Sequence, residues 1–86
     1  MSKPYLVYIL YCADDTLYTG ITTDTERRLN EHNSSALGAK YTARRRPVKL
    51  VYSRPYPDRS SALRAEYEIK QLSRTAKIKL IESTSS

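Results

Sequence analysis

The sequence predicts one small α+β domain in which a β-hairpin and a third strand are flanked by helices. Three observations predict it. Residues 5–12 form a short run, β-branched and aromatic, that is apolar on both faces, as in a central strand. Residues 17–21 and 48–53 are further short apolar runs bounded by turn residues, which read as strands. From Ala62 onward apolar residues recur three and four apart, the period of an amphipathic helix. A chain of 86 residues suits one domain rather than two, with residues 1–86 as the domain, about 5–82 as its core and 83–86 as a frayed tail.

Lys3 ahead of the first apolar run gives the start of the chain a superficial likeness to a signal sequence. The run is rich in tyrosine, has no small-x-small cleavage pattern and falls far short of the ~20 residues that span a bilayer. It therefore reads as a strand, and no membrane association is expected. Ala13-Asp14-Asp15-Thr16 supplies turn chemistry, because Asp side chains bond their own downstream backbone. Register then decides whether Tyr8 and Tyr18 cooperate, since side chains alternate along a strand. A two-residue loop at Asp14-Asp15 pairs Ala13 with Thr16 and puts Tyr18 on the face opposite Tyr8. A three-residue loop that pairs Cys12 with Tyr18 and Leu10 with Gly20 puts both tyrosines on one face. Gly20 then lies between their rows, and a strand glycine leaves room for a ligand to approach. An odd-length connection or a bulge is thus the condition for a shared site; otherwise the tyrosines only pack the sheet.

Thr23-Asp24-Thr25-Glu26 is a Ser/Thr-x-x-Glu capping box, so a helix is expected from there to about Asn33. Leu29 is its one large hydrophobe, which suits a surface helix. Arg28 and His32, four apart, project side by side. They are either solvated or recruited for phosphate chemistry, in which Arg grips two phosphate oxygens and His titrates near neutrality. Residues 34–47 read as a loop with a helical turn around 36–42, and the third strand follows, pairing with the first. A long helix starts near Asp58 or Ser60 and buries Ala62, Ala65, Ile69, Leu72 and Ala76. Glu66 flanks that stripe, and a half-buried acid needs a partner. The candidates are Lys70 at i+4 and a divalent cation, which a single carboxylate can hold when phosphates and water complete the shell. Ser73 caps a further helical segment, 74–82.

Charge is uneven. Residues 1–39 carry three Lys/Arg against five Asp/Glu and residues 40–86 carry twelve against four, which gives the net +6. The basic stretch 40–54 holds six cations and no acid, and such a patch attracts polyanions through counterion release. Lys40, Arg44, Arg45, Arg46 and Lys49 are the expected nucleic-acid contacts, with a solvated loop as the plain alternative. All eight aromatic residues are tyrosine, a residue used at polar sites and in base stacking. The single cysteine, Cys12, permits no internal disulfide and suits a reducing cytoplasm. No glycine-rich phosphate loop, zinc-spaced Cys/His set or Ser/His/Asp triad spacing is present, which leaves P-loop and triad-hydrolase chemistry without support.

The ordered set Tyr8, Tyr18-Thr19-Gly20, Arg28, His32 and a later-helix Glu66 resembles the GIY-YIG nuclease superfamily. In particular the chain is similar to its short stand-alone bacterial members. The likeness covers about residues 5–82 and is most specific over 17–29, then 62–66. It implies a three-stranded antiparallel sheet flanked by helices, and a Mg2+- or Mn2+-dependent endonuclease acting on DNA ahead of RNA. By position Tyr8 and Tyr18 are the tyrosines of the two motifs, which organise and activate the attacking water. Arg28 grips the scissile phosphate, His32 matches a histidine of some members, and Glu66 is the metal ligand. Tyr8 ranks ahead of His32 as the base, provided that Arg28, the metal or Tyr18 lowers its pKa. Val7 stands where the first motif has Gly and Thr19 where the second has Ile, and no Asn follows Asn33. The alternative is a nucleic-acid-binding module that keeps the fold and basic patch without cutting. The chain is read as a cytoplasmic monomer.

Overall fold

A computed structural model describes residues 4–34 and 45–84. The elements run β1 (Tyr5–Cys12), β2 (Leu17–Thr22), α1 (Thr25–Ser34), β3 (Val48–Tyr56), α2 (Arg59–Lys70) and α3 (Arg74–Thr84). The sheet is antiparallel with order β2-β1-β3, so the strand apolar on both faces is the central one. Helices cover both faces. Val7 and Ile9 pack with Tyr52, Ala62 and Ile69 beneath α2 and α3, while Tyr8, Leu10, Cys12 and Val48 pack with Tyr18 and Leu29 beneath α1.

The hairpin connection has odd length, but its place differs from the expected one. The loop is 13–15: Cys12 N–H donates to the Thr16 carbonyl at 2.9 Å and Asp15 N–H to the Cys12 carbonyl at 3.0 Å. Asp15 takes φ 69°, the left-handed position that closes a three-residue hairpin loop. Asp14 holds the turn by accepting from the Thr16 hydroxyl at 2.6 Å. As a result Tyr8 pairs with Gly20 and Leu10 with Tyr18, two residues off the predicted register. A shift of two preserves side-chain parity, so both tyrosines still share a face.

In β3 a bulge lies between the pairs Ile9–Tyr52 and Leu10–Leu50. The extra residue, Val51, flips the parity of the strand. It lets Val48 face α1 while Tyr52, four residues on, faces α2. The strand also runs past Ser53 through Pro55, which lies opposite Leu6 on an edge strand, where a residue without N–H is tolerated.

Helix boundaries differ from the sequence reading for local reasons. Asp24, rather than Thr23, caps α1, accepting from Arg27 N–H at 3.1 Å. Asp58 caps α2 through Ser61 N–H at 2.8 Å. As expected, a separate helix starts under Ser73, whose hydroxyl accepts from Ala76 N–H at 3.1 Å, and α2 ends at Lys70. Leu72 consequently sits in the link, 38% exposed, rather than in a buried stripe, and Ala76 belongs to α3. α3 runs on through Ser83 and Thr84. The predicted turn at 36–42 lies outside the described residues, and no helix among those described is long and apolar enough to cross a membrane.

One side chain ties α1 to the sheet. Asn33 Nδ2 donates to the Val48 carbonyl at 3.0 Å, and its Oδ1 accepts from Val48 N–H at 2.7 Å, so a side-chain amide continues the ladder that the edge strand lacks. Removing it leaves two partly buried backbone groups without that partner, which costs about 1–3 kcal/mol. Asn33→Ala is accordingly expected to lower stability by that amount in urea or thermal unfolding followed by circular dichroism. A change below about 0.5 kcal/mol, the scatter of ordinary surface substitutions, would contradict the role.

Candidate active site

Beneath α1 the even-numbered residues of β1 and β2 meet the inner face of the helix. Tyr8 is 2% exposed and His32 fully buried, and the Tyr8 Oη to His32 Nε2 distance is 3.0 Å. Tyr18 completes a three-ring cluster, with ring centroids 6.4 Å from Tyr8 and 5.2 Å from His32. The Tyr8 and His32 rings are inclined at 62° with centroids 6.0 Å apart, a tilted arrangement that suits aromatic quadrupoles.

Gly20 makes this possible in a way the sequence did not foretell. A Cβ there would lie 2.6 Å from Tyr8 Oη and 2.8 Å from Cζ. The space over the glycine is therefore filled by the Tyr8 phenol, not left open for a ligand. Cross-strand aromatic rings cover strand glycines in this manner.

Arg28 and His32 do share a helix face, but only Arg28 stays partly solvated, its side chain 24% exposed. Arg28 bonds the Tyr8 hydroxyl and Glu31 at 2.9 Å. A guanidinium only donates, so Tyr8 Oη accepts from Arg28 and its own proton remains available for His32 Nε2. Donation by Tyr8 to Nε2 requires the Nδ1–H tautomer of His32. Glu31, which the sequence reading passed over, aligns Arg28 from i+3; its spacing from Arg27 and Arg28 was the available signal. Glu66, on α2, has a side chain 18% exposed with Lys70 Nζ 3.7 Å away, and lies near enough to push the pKa of both tyrosines up. Tyr8, Tyr18 and His32 thus meet ring to ring with Arg28 beside them, while Glu66, on α2, acts on the two tyrosines through its charge.

The electrostatics depart from expectation. Tyr8 is pushed up to about 12, chiefly by burial; Arg28 pulls it down, and Tyr18 and Glu66 add to the rise. Burial also raises Tyr18. His32 is lowered to about 4 by burial first, then by the Arg28 and Arg46 charges. Burial thus favours a phenol beside a neutral imidazole at neutral pH and disfavours a resting Tyr8 phenolate despite the nearby guanidinium.

Of the basic contacts, Lys40 and Arg44 lie outside the described residues. Arg45 Nε sits 2.8 Å from Asp14, and its carbonyl accepts from Ala13 N–H at 2.8 Å, which fastens the hairpin tip. Arg46 Nε donates to the His32 carbonyl, fastening the end of α1. Lys49 is exposed on β3. The two motif departures, Val7 and Thr19, are buried on the sheet face away from the tyrosines.

Among the described residues no group of three or more His, Cys, Asp or Glu side chains is placed to hold a metal ion. A single half-buried carboxylate such as Glu66 is a donor of the kind that Mg2+ or Mn2+ shares with substrate oxygens and water.

A family model described as the GIY-YIG catalytic domain matches residues 4–79. The chain is 59% identical over 80 residues to the UPF0213 protein of Desulfotalea psychrophila, covering 93% of this chain and 73% of that one. It is 54% identical over 82 residues to the UPF0213 protein of Staphylococcus haemolyticus, covering 95% and 98%. A solution NMR structure of the UPF0213 protein from Bacillus halodurans superposes with a TM-score of 0.62 at 45% identity, over 95% of this chain and 86% of that one.

Two outcomes follow from the packing. Gly20→Ala is expected to cost about 1–3 kcal/mol in chemical unfolding, as overpacked cores do, and to break the Tyr8–His32 contact; unchanged stability would mean the ring moves aside freely. Because the unfolded His32 binds a proton below about 6.5 while the folded one resists until about 4, stability should fall as pH drops through that window. The slope from this group is at most about 1.4 kcal/mol per pH unit. Urea unfolding of wild type and His32→Gln across pH 4–7 checks it, and identical slopes would refute it.

Proposed function

The chain belongs to the GIY-YIG catalytic-domain family, and from that premise we propose that it is a divalent-metal-dependent endonuclease that hydrolyses phosphodiester bonds in DNA. The observation that supports the reading is the cluster of Tyr8, Tyr18 and His32 beneath α1, with Arg28 beside it and Glu66 on α2 acting on both tyrosines through its charge.

Arg28, partly solvated and aligned by Glu31, binds the scissile phosphate and stabilises charge that develops on its oxygens. Glu66 would hold Mg2+ or Mn2+ together with substrate oxygens; when bound, the ion neutralises charge on the phosphate and leaving oxygen. His32 has no exposed surface, and its hydrogen bond with Tyr8 supplies a route for a proton to reach it. Tyr8 Oη takes a proton from the attacking water as it delivers its own to His32 Nε2. The order of bases thus changes from the sequence reading: Tyr8 relays and His32 receives. Arg28 is one cause of the low basicity of His32, and a phosphate docked on Arg28 offsets that charge. Substrate binding thereby makes His32 the better base. Tyr18, beside both rings, restricts the Tyr8 hydroxyl to the orientation that serves both partners.

The test is a cleavage screen over single-stranded, duplex, flapped and four-way-junction DNA and RNA with Mg2+ or Mn2+, on wild type, Arg28→Ala and Glu66→Ala. The expected result is metal-dependent cleavage by wild type and a loss of roughly 10²–10³-fold in each variant, the usual effect of removing one charge-stabilising group. Binding, measured without metal, should stay within a few-fold. Binding by wild type with no cleavage on any substrate would overturn the nuclease reading and leave a nucleic-acid-binding module.

A further inference from the structure

Tyr67 lies one residue past Glu66 on α2 and is 66% exposed, against 36–39% for the other exposed large hydrophobic residues. A ring in that state contributes nothing to the core, and tyrosine has no helix-propensity advantage that would select it there. Its helix neighbours three and four residues away are Leu63, Arg64, Lys70 and Gln71. Leu63 is 36% exposed, Arg64 and Lys70 are exposed as well, and none of the four is acidic. The same flank leads back to the candidate centre, because Lys70 pairs with Glu66 at 3.7 Å and Leu63 is three residues before Glu66.

We propose that Tyr67, with Leu63 beside it, is a stacking platform for the base of a nucleotide next to the scissile phosphate. The occupant is an unpaired nucleobase in a nucleic-acid strand, because only an unstacked base offers its π-face to a side chain. Arg64 and Lys70 meet the phosphates on either side, and their charge matches no feature of a neutral partner. The platform selects for substrates that present a free base near the cut: single strands, flaps or opened ends. This inference rests on the nuclease reading for the neighbouring phosphate, while its own observable is binding.

The test compares a thymidine decanucleotide with an abasic decamer of the same backbone, by fluorescence anisotropy without added metal. Tyr67→Ala is expected to bind the thymidine strand roughly five- to a hundred-fold more weakly, the range for loss of one base–aromatic stack. It should bind the abasic strand as wild type does, and Tyr67→Phe, which keeps the ring, should behave as wild type on both. Equal affinities of Tyr67→Ala and wild type for the thymidine strand, or equal losses on both strands, would overturn the platform. If wild type never cuts yet the base-dependent loss is seen, the platform stands and the nuclease reading fails. If wild type cuts and Tyr67→Ala shows no base-dependent loss, the platform alone fails.

Discussion

The hydrogen bond between Tyr8 and His32, made across Gly20, is the contact on which the rest of the molecule depends. It needs a side-chain-free residue opposite Tyr8, which only the observed hairpin register provides. It also needs α1 held at fixed height above the sheet. That is the work of Asn33 on Val48 and of Arg46 on the His32 carbonyl. The bulge at Val51 serves the same end, because it turns Val48 toward α1 while Tyr52 stays in the other core layer.

Burial governs the chemistry of the pair. The pull of Arg28 on Tyr8 is real but smaller than the cost of placing a phenolate among packed rings, and the same guanidinium disfavours an imidazolium next to it. Both groups are thus neutral at rest and linked by one proton. Neutral, hydrogen-bonded partners can be buried cheaply, where an isolated charge could not. In the proposed function the ligand is a phosphate, which brings the negative charge that the buried pair lacks. Reactivity is then tied to occupancy rather than to a permanently ionised side chain.

Much of this was legible in the sequence, and the reasons are particular. The two apolar faces of β1 marked it as central, and alternation fixed the choice between shared and opposed tyrosines to the parity of one loop. Which three residues form that loop was not legible, because Ala13, Asp14, Asp15 and Thr16 all suit turns and only the left-handed Asp15 decides it. The Asp24 cap displaced an equally good capping box by one residue. The break between α2 and α3 was legible in the capping residue Ser73, whereas the exposure of Leu72 was not, because Leu72 and Ala76 continue the helical period of α2. The burial of His32 could not be read from a helix with one large hydrophobe, since its cover comes from the tyrosine rings. Likewise Arg45 and Arg46, which look like a free basic run, clamp the hairpin tip and α1 through partners distant in sequence.

The most direct measurement is the ¹⁵N NMR spectrum of the His32 imidazole in the folded protein at pH 7, recorded for wild type and Tyr8→Phe. The account predicts a neutral ring in the Nδ1–H form, with an unprotonated Nε2 whose resonance moves downfield when the Tyr8 hydroxyl is removed. An imidazolium at pH 7, or an Nε2 signal indifferent to Tyr8→Phe, would contradict it.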